Sequence, residues 1–289
     1  MTQVFLSRLA STLVLWTAVL WTIFSGYELG FFAMLSAVGL GALWEFYRML
    51  DHKGFPNFKV VGMFCGAAML GGSFHYYSSV GPSQSYDWEM ISLVGFLLTV
   101  FTRQMFKGLQ EVSPLPTMAY TLFGLLYVIW MFNFVNKIVY ALPKVDHHVT
   151  GQFYVLYLIV VTKFSDMGAY LTGTVVGKHK MVPHISPKKT WEGFVGALAF
   201  STLGSYGMYW LMPHHLVRLN WTHATVLGLV LGFAAIVGDL AESILKRSTD
   251  TKDSGCFLPG IGGALDLIDS LLFTAPLLFF YLRAIIGVG

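Results

Sequence analysis

Apolar stretches of about 20 residues recur along the chain, separated by short polar or proline-bearing connections. Each is long enough to cross a hydrocarbon core of about 30 Å as a helix. Nine such helices are predicted, near 8–25, 28–49, 59–80, 89–106, 116–136, 151–172, 192–212, 223–247 and 265–286. The Ser25-Gly26-Tyr27 connection is so short that the first two form a hairpin. Pro82, Pro114, Pro116, Pro143 and Pro213 fall in connections, where a missing backbone donor is tolerated. The expected fold class is therefore all-α, a polytopic integral membrane protein.

Composition strengthens this reading. Hydrophobic residues make up 55% of the 289 positions and charged residues only 11%, against about a quarter charged in soluble domains. A net charge of +3 is too small to point to nucleic acid. Two cysteines, Cys65 and Cys256, make no disulfide framework. The distribution of Lys and Arg is more informative than their total. With the N-terminus inside, thirteen of them face the cytosol and four the opposite side, with Lys163 inside a span. The expectation is a multi-pass protein of the cell (inner) membrane whose N-terminus and polar segments face the cytoplasm.

The charges divide the chain functionally. Residues 1–150 carry acids near span ends, read as interfacial anchors, with Glu45 and Arg48 placed to pair at i, i+3. This half is expected to be a lipid-facing scaffold. Residues 151–289 are different. Lys163 and Asp166 lie three residues apart inside an apolar helix, and intramembrane charges are costly enough to mark function. After that helix, Ser186-Pro187 reads as a helix N-cap and first helical position. Free N–H groups there, beside Lys188 and Lys189, would make an anion site.

The most polar stretch runs from Gly238 to Ser270. Asp239, Glu242, Ser243 and Lys246 share one helical face, and Asp266, Asp269 and Ser270 repeat the spacing on the next helix. Two facing carboxylate clusters beside Lys246, Arg247 and Lys252 describe a site for a divalent metal and a polyphosphate. The histidines show no recognised zinc spacing, and no Walker A, dinucleotide-binding or G-x-S-x-G motif is present.

This stretch resembles the signature of the phosphatidate cytidylyltransferases, the CDP-diacylglycerol synthases. Ser243, Leu245, Lys246, Arg247, Lys252, Asp253, Gly255, Leu258, Pro259, Gly262, Gly263, Asp266, Ile268 and Asp269 match it in register. Ile261 stands where the family has a histidine, Leu267 where it has an arginine, and Ala264 where it has a larger apolar residue. A second element, Ser186 to Thr190 with Glu192 and Gly193, resembles the family's S-P-K-K-T-x-E-G. Asp166, Gly168, Ala169 and Tyr170 resemble a third.

The resemblance implies transfer of a cytidylyl group from CTP to phosphatidate, giving CDP-diacylglycerol and pyrophosphate. It implies Asp239, Asp266 and Asp269 as metal-bearing carboxylates, with Glu242 and Asp253 as near neighbours. Lys188, Lys189, Lys246, Arg247 and Lys252 become phosphate contacts, helped by Ser186, Thr190, Gly262 and Gly263. Asp166 joins the metal site or positions the nucleotide. Magnesium is the expected cofactor, with room for a second cation, monovalent or divalent. Membrane lipids are expected partners, nucleic acid is not, and a homodimer is left open. Competing readings are a polyprenol kinase-like enzyme, a cytidylyltransferase for another lipid phosphate, a transporter, and an inactive scaffold.

Overall fold

The computed structural model describes residues 2–79, 82–107, 113–141, 150–252, 254–255 and 262–287. Among them the helices are α1 (Thr2–Ser25), α2 (Glu28–Lys53), α3 (Lys59–Ser79), α4 (Pro82–Met105) and α5 (Pro114–Gly124). A π-helical stretch, Leu125–Trp130, carries α5 into α6 (Met131–Ala141). Then follow α7 (Thr150–Val175), strands β1 (Lys180–Val182) and β2 (Ser186–Thr190), α8 (Trp191–Leu211), α9 (Trp221–Ser248) and α10 (Ala264–Ala284).

Every predicted span overlaps a helix. Five helical segments are long and apolar enough to cross a membrane: Glu28–Lys53, Pro114–Tyr140, Gly151–Val175, Trp221–Ser248 and Ala264–Ala284. Among the described residues the chain is thus a helical membrane protein with one short hairpin. The α4 helix begins at Pro82, well before the predicted 89, because the polar run Ser83–Asp87 continues the helix beyond its apolar part.

The hairpin corrects one expectation. Ser186 and Pro187 do not open a helix; they lie in β2, which pairs antiparallel with β1 through Val182 with Ser186 and Lys180 with Thr190. The α8 helix begins five residues later, and its N-cap is Thr190, whose hydroxyl accepts from Gly193 N at 3.1 Å. Once β1 is available as a partner, the extended backbone that proline tolerates at a sheet edge satisfies this segment.

The chain divides into two compact units, residues 1–136 with 248–268, and residues 137–247 with 269–289. In the first, α2 packs closely on α3 and on the π-helical stretch. Gly62 and Gly124 both lie against the Tyr47 ring, and a Cβ on either would overlap it. The Tyr47 hydroxyl donates to Thr121 O at 2.7 Å, so the ring buries its apolar body without leaving its hydroxyl unbonded. A second polar knot joins α3, α4 and the π-to-α6 helix. Asn133 Nδ2 donates to Ser73 Oγ at 3.0 Å and to Glu89 Oε1 at 2.8 Å, while Trp130 Nε1 reaches Glu89 Oε2 at 3.3 Å.

In the second unit, α7 and α8 pack along their length through small residues. A Cβ on Gly168 would strike Gly196 O and the Phe200 side chain, one on Gly193 would approach Ala169 O, and one on Gly196 would strike Thr172. Such close backbone approach is how helices associate where lipid supplies no hydrophobic drive. Hydroxyls lock the remaining helices to these two. Ser201 Oγ donates to Gly228 O at 2.8 Å, Ser205 Oγ to Ala224 O at 2.6 Å, and Ser165 Oγ to Gly232 O at 3.2 Å. Gly238 lets α9 lie against α10 at Asp269 and Ser270.

Candidate active site

In the second unit, the α9 turn that carries Asp239 and Glu242 faces Asp269 of α10. One ligand oxygen from each of the three lies within 4.8 Å of the other two. Gly238 makes this possible, because a side chain there would push α9 off the α10 backbone at Asp269. Glu242 is 2% exposed and Asp269 7% exposed, whereas the Asp239 side chain is 43% open. The group therefore has a buried floor and an accessible rim. Its donors are all carboxylate oxygens, a set that suits a hard divalent cation such as magnesium.

Lysines neutralise these acids. Lys189 Nζ is 2.8 Å from Asp239 Oδ2 and 3.4 Å from Ile236 O. Lys246 Nζ lies 2.7 Å from Glu242 Oε2 at the i, i+4 spacing expected on one helical face. One helix away, Lys163 and Asp166 pair at 3.3 Å. The charges of Lys163, Asp239 and Asp166 all bear on Asp269. Buried carboxylates carry a large desolvation cost, and interleaved lysines offset it.

Beside Asp239 a cleft of about 190 Å³ opens to the outside, lined by Asp166, Lys188, Lys189, Thr190, Gly193 and Asp239 among others. The start of α8 forms one wall. Its first N–H groups are already taken, Trp191 N by His179 O at 2.9 Å and Gly193 N by Thr190 Oγ1, so the positive charge facing the cleft comes from Lys188 and Lys189. Met181, Phe194 and Ile236 supply apolar wall, and Ser165 and Tyr170 add hydroxyls. The apolar positions carry no signal in the sequence that separates them from other membrane residues. Below the cleft rim, Glu192 holds the β-hairpin in place by accepting from Lys178 N at 3.1 Å and meeting His179 Nδ1 at 2.6 Å.

Of the residues singled out in the sequence, the second unit thus gathers Asp166, Lys188, Lys189, Thr190, Asp239, Glu242, Lys246 and Asp269. Ser186 lies at the far end of β2, and Arg247 Nε donates to Ile185 O in the hairpin turn at 3.3 Å. The remaining residues belong to the first unit. There Asp266 Oδ2 accepts from Gly263 N at 2.7 Å, the return half of a capping box at the start of α10. Gly262 has φ +125, a backbone conformation that a side chain would strain. Lys252 is exposed, and Asp253 lies outside the described residues, as do Cys256, Leu258, Pro259 and Ile261.

Also in the first unit, Glu45 was expected to anchor α2 at the interface and pair with Arg48. Instead it is buried, accepting from Leu265 N at 3.0 Å and Ser254 Oγ at 3.3 Å. Just beyond α9, Asp250 adopts a left-handed conformation with φ 52 and pairs with Lys53. The hydrogen bond from Lys53 holds the Asp250 carboxyl below its ordinary range.

Comparison with known proteins joins these pieces. A phosphatidate cytidylyltransferase of Bacillus subtilis is 31% identical over 260 residues, 88% of this chain and 89% of the relative. One of Staphylococcus haemolyticus is 34% identical over 206 residues, 68% of this chain and 72% of the relative. An Escherichia coli protein described as uncharacterised, YnbB, is 36% identical over 199 residues, which is 67% of this chain and 62% of that protein. The model of the Cytidylyltransferase family matches residues 6–285, which takes in α7 with Asp166, the lysine-bearing hairpin and the acids of α9 and α10 alike. On that match, running almost end to end, the chain belongs to the cytidylyltransferase family.

Proposed function

We propose that this chain transfers the cytidylyl group of CTP to phosphatidate, releasing pyrophosphate and forming CDP-diacylglycerol. Family membership makes it a nucleotidyltransferase, and the names of the B. subtilis and S. haemolyticus relatives support phosphatidate as the acceptor. The observation that carries the reading at this site is the meeting of Asp239, Glu242 and Asp269 beside a cleft walled by Lys188, Lys189 and the start of α8.

The chemistry needs little else. A phosphate oxygen of the lipid attacks the α-phosphorus of CTP, and the bond to the β-phosphate oxygen breaks, so pyrophosphate leaves with that electron pair. The attacking group is already an anion, so no strong base is required. The barrier lies in bringing two anions together, and positioning with electrostatic screening lowers it. A divalent cation, magnesium in this reading, would supply the positive charge that screens the meeting phosphates. Asp239, Glu242 and Asp269 would hold it, and Asp266 is proposed to act with them. A second cation, monovalent or divalent, belongs to the same proposal.

Lys189 now pairs with Asp239, and Lys246 with Glu242. When the acids take a metal instead, both ammonium groups become available for phosphate oxygens. Lys188 and Thr190 flank the same opening. Lys252 and Arg247 would meet the leaving pyrophosphate. The family's histidine and arginine are Ile261 and Leu267 here, so their share of phosphate binding falls to these lysines.

The proposal extends to topology. Nine spans with the N-terminus and the acids on the cytoplasmic side of the inner membrane agree with the Lys and Arg bias. In it residues 1–150 serve as scaffold and 151–289 carry the chemistry, and a homodimer is compatible. The test is pyrophosphate release by the purified chain from CTP, with phosphatidate compared against a panel of lipid alcohols and other lipid phosphates. Turnover only with phosphatidate and a divalent cation is expected, and Asp266→Asn should abolish it without unfolding the protein. Labelled phosphate appearing on a lipid alcohol would make the chain a kinase and overturn the reading.

A further inference from the structure

Glu45 sits in α2, outside every stretch that resembles the family signature, yet it is 5% exposed in an apolar helix. A carboxylate there is costly unless it is bonded. Its partners all lie in the signature segment of the same unit. Oε2 accepts from Leu265 N at 3.0 Å and from Ser254 Oγ at 3.3 Å, and Ala264 N–H also donates to the carboxylate. Ala264 and Leu265 open α10, where backbone donors lack partners within the helix.

Such donors are ordinarily satisfied by the side chain just before the helix. Here that residue is Gly263, which has none, and a Cβ on it would overlap the Ser254 hydroxyl and the Glu45 carboxylate. A Cβ on Gly255 would likewise overlap Glu45. Two small positions of the signature are therefore the space that a side chain from α2 fills. Gly263 in turn leads to Asp266, which accepts from Gly263 N at 2.7 Å and whose charge bears on Glu45.

We propose that Glu45 is a positioning residue: its carboxylate replaces the missing N-cap of α10, clamps Ser254–Gly255 against Gly263–Leu265, and so fixes where Asp266 stands. The catalytic half of this inference rests on the functional reading above; the clamp itself does not.

The test uses the full chain in lipid nanodiscs, comparing Glu45→Ala, Glu45→Asp and Glu45→Gln by amide hydrogen exchange and by steady-state kinetics. Glu45→Ala removes the acceptor and Glu45→Asp withdraws it by one methylene. Both should speed exchange of the Ala264 and Leu265 amides at least about tenfold and lower kcat by about 10- to 100-fold, with KM for CTP within about threefold. Glu45→Gln keeps one acceptor oxygen and should restore slow exchange and a kcat within about fivefold of the parent. Should Glu45→Ala fail to fold, the Asp and Gln pair carries the comparison. Unchanged exchange in Glu45→Asp would overturn the clamp. Faster exchange with unchanged kcat, or a Gln variant as impaired as the Asp variant, would overturn the positioning role. A parent chain with no turnover on CTP and phosphatidate would instead sink the functional reading, and exchange alone would then decide the clamp.

Discussion

The two units bury acids in opposite ways. In the first, Glu45 meets neutral donors, backbone N–H groups and a serine hydroxyl, and Glu89 accepts from an asparagine amide and an indole N–H. In the second, Asp166, Asp239 and Glu242 meet lysine ammonium groups. Neutral donors built into helices hold a carboxylate in one geometry and cannot be traded for a cation. A lysine on a flexible stem can swing away and leave its acid to a metal while keeping its charge nearby. Between Glu45 and Glu242, both buried, the partner thus separates a structural carboxylate from an exchangeable one where burial does not. On the proposed function, the second unit is the one that receives the ion and the polyphosphate.

The largest effect should come from the second set. Asp239→Asn or Asp269→Asn keeps volume and removes charge, and kcat should fall about 1,000-fold or more, some 4 kcal/mol of barrier. The melting temperature in detergent should stay within about 3 °C. A variant that retains a tenth of parent activity would break the distinction. Next, Lys189→Met should raise KM for CTP about 10- to 100-fold in steady-state assays, because the cleft loses a phosphate contact. Little change in KM would make Lys189 merely the partner of Asp239.

The first unit should respond in stability rather than rate. Glu89→Leu leaves the Asn133 amide and Trp130 indole without their buried acceptor, a cost of about 2–4 kcal/mol readable by denaturant or thermal unfolding. The folded fraction should keep kcat and KM within about twofold of the parent. The smallest effect concerns Asp250. Its folded pKa is lowered by Lys53, so the pair stabilises above the ordinary carboxylate range and its contribution fades as pH falls through the lowered value. Lys53→Met should flatten this slight acid dependence of melting temperature, and since Asp250 is fully exposed the change should be barely resolvable.

Helix positions were legible from apolar length, and each predicted segment overlaps a helix, although among the described residues only five helical segments are long and apolar enough to cross a membrane. The acids of α9 and α10 were legible from helical spacing, which placed Asp239 and Glu242 on one face. Spacing could not reveal what they face. Asp266 and Asp269 are one turn apart, yet Asp266 bonds to the backbone of its own turn while Asp269 meets Asp239 and Glu242. Ser186-Pro187 misled because the same pair suits a helix start and a sheet edge, and only the pairing with β1 decides between them. Glu45 was hidden for a different reason. Its partners lie more than 200 residues away, and a local rule offered Arg48 at i, i+3 instead.

The central claim is that Asp239, Glu242 and Asp269 together hold a divalent cation beside the lysines that receive CTP. Its most direct test is manganese binding by electron paramagnetic resonance, on the purified chain and on Asp269→Asn, each with and without CTP. The account expects the parent to bind the ion, CTP to tighten that binding, and the variant to lose both. Equal manganese binding by the parent and Asp269→Asn would contradict it.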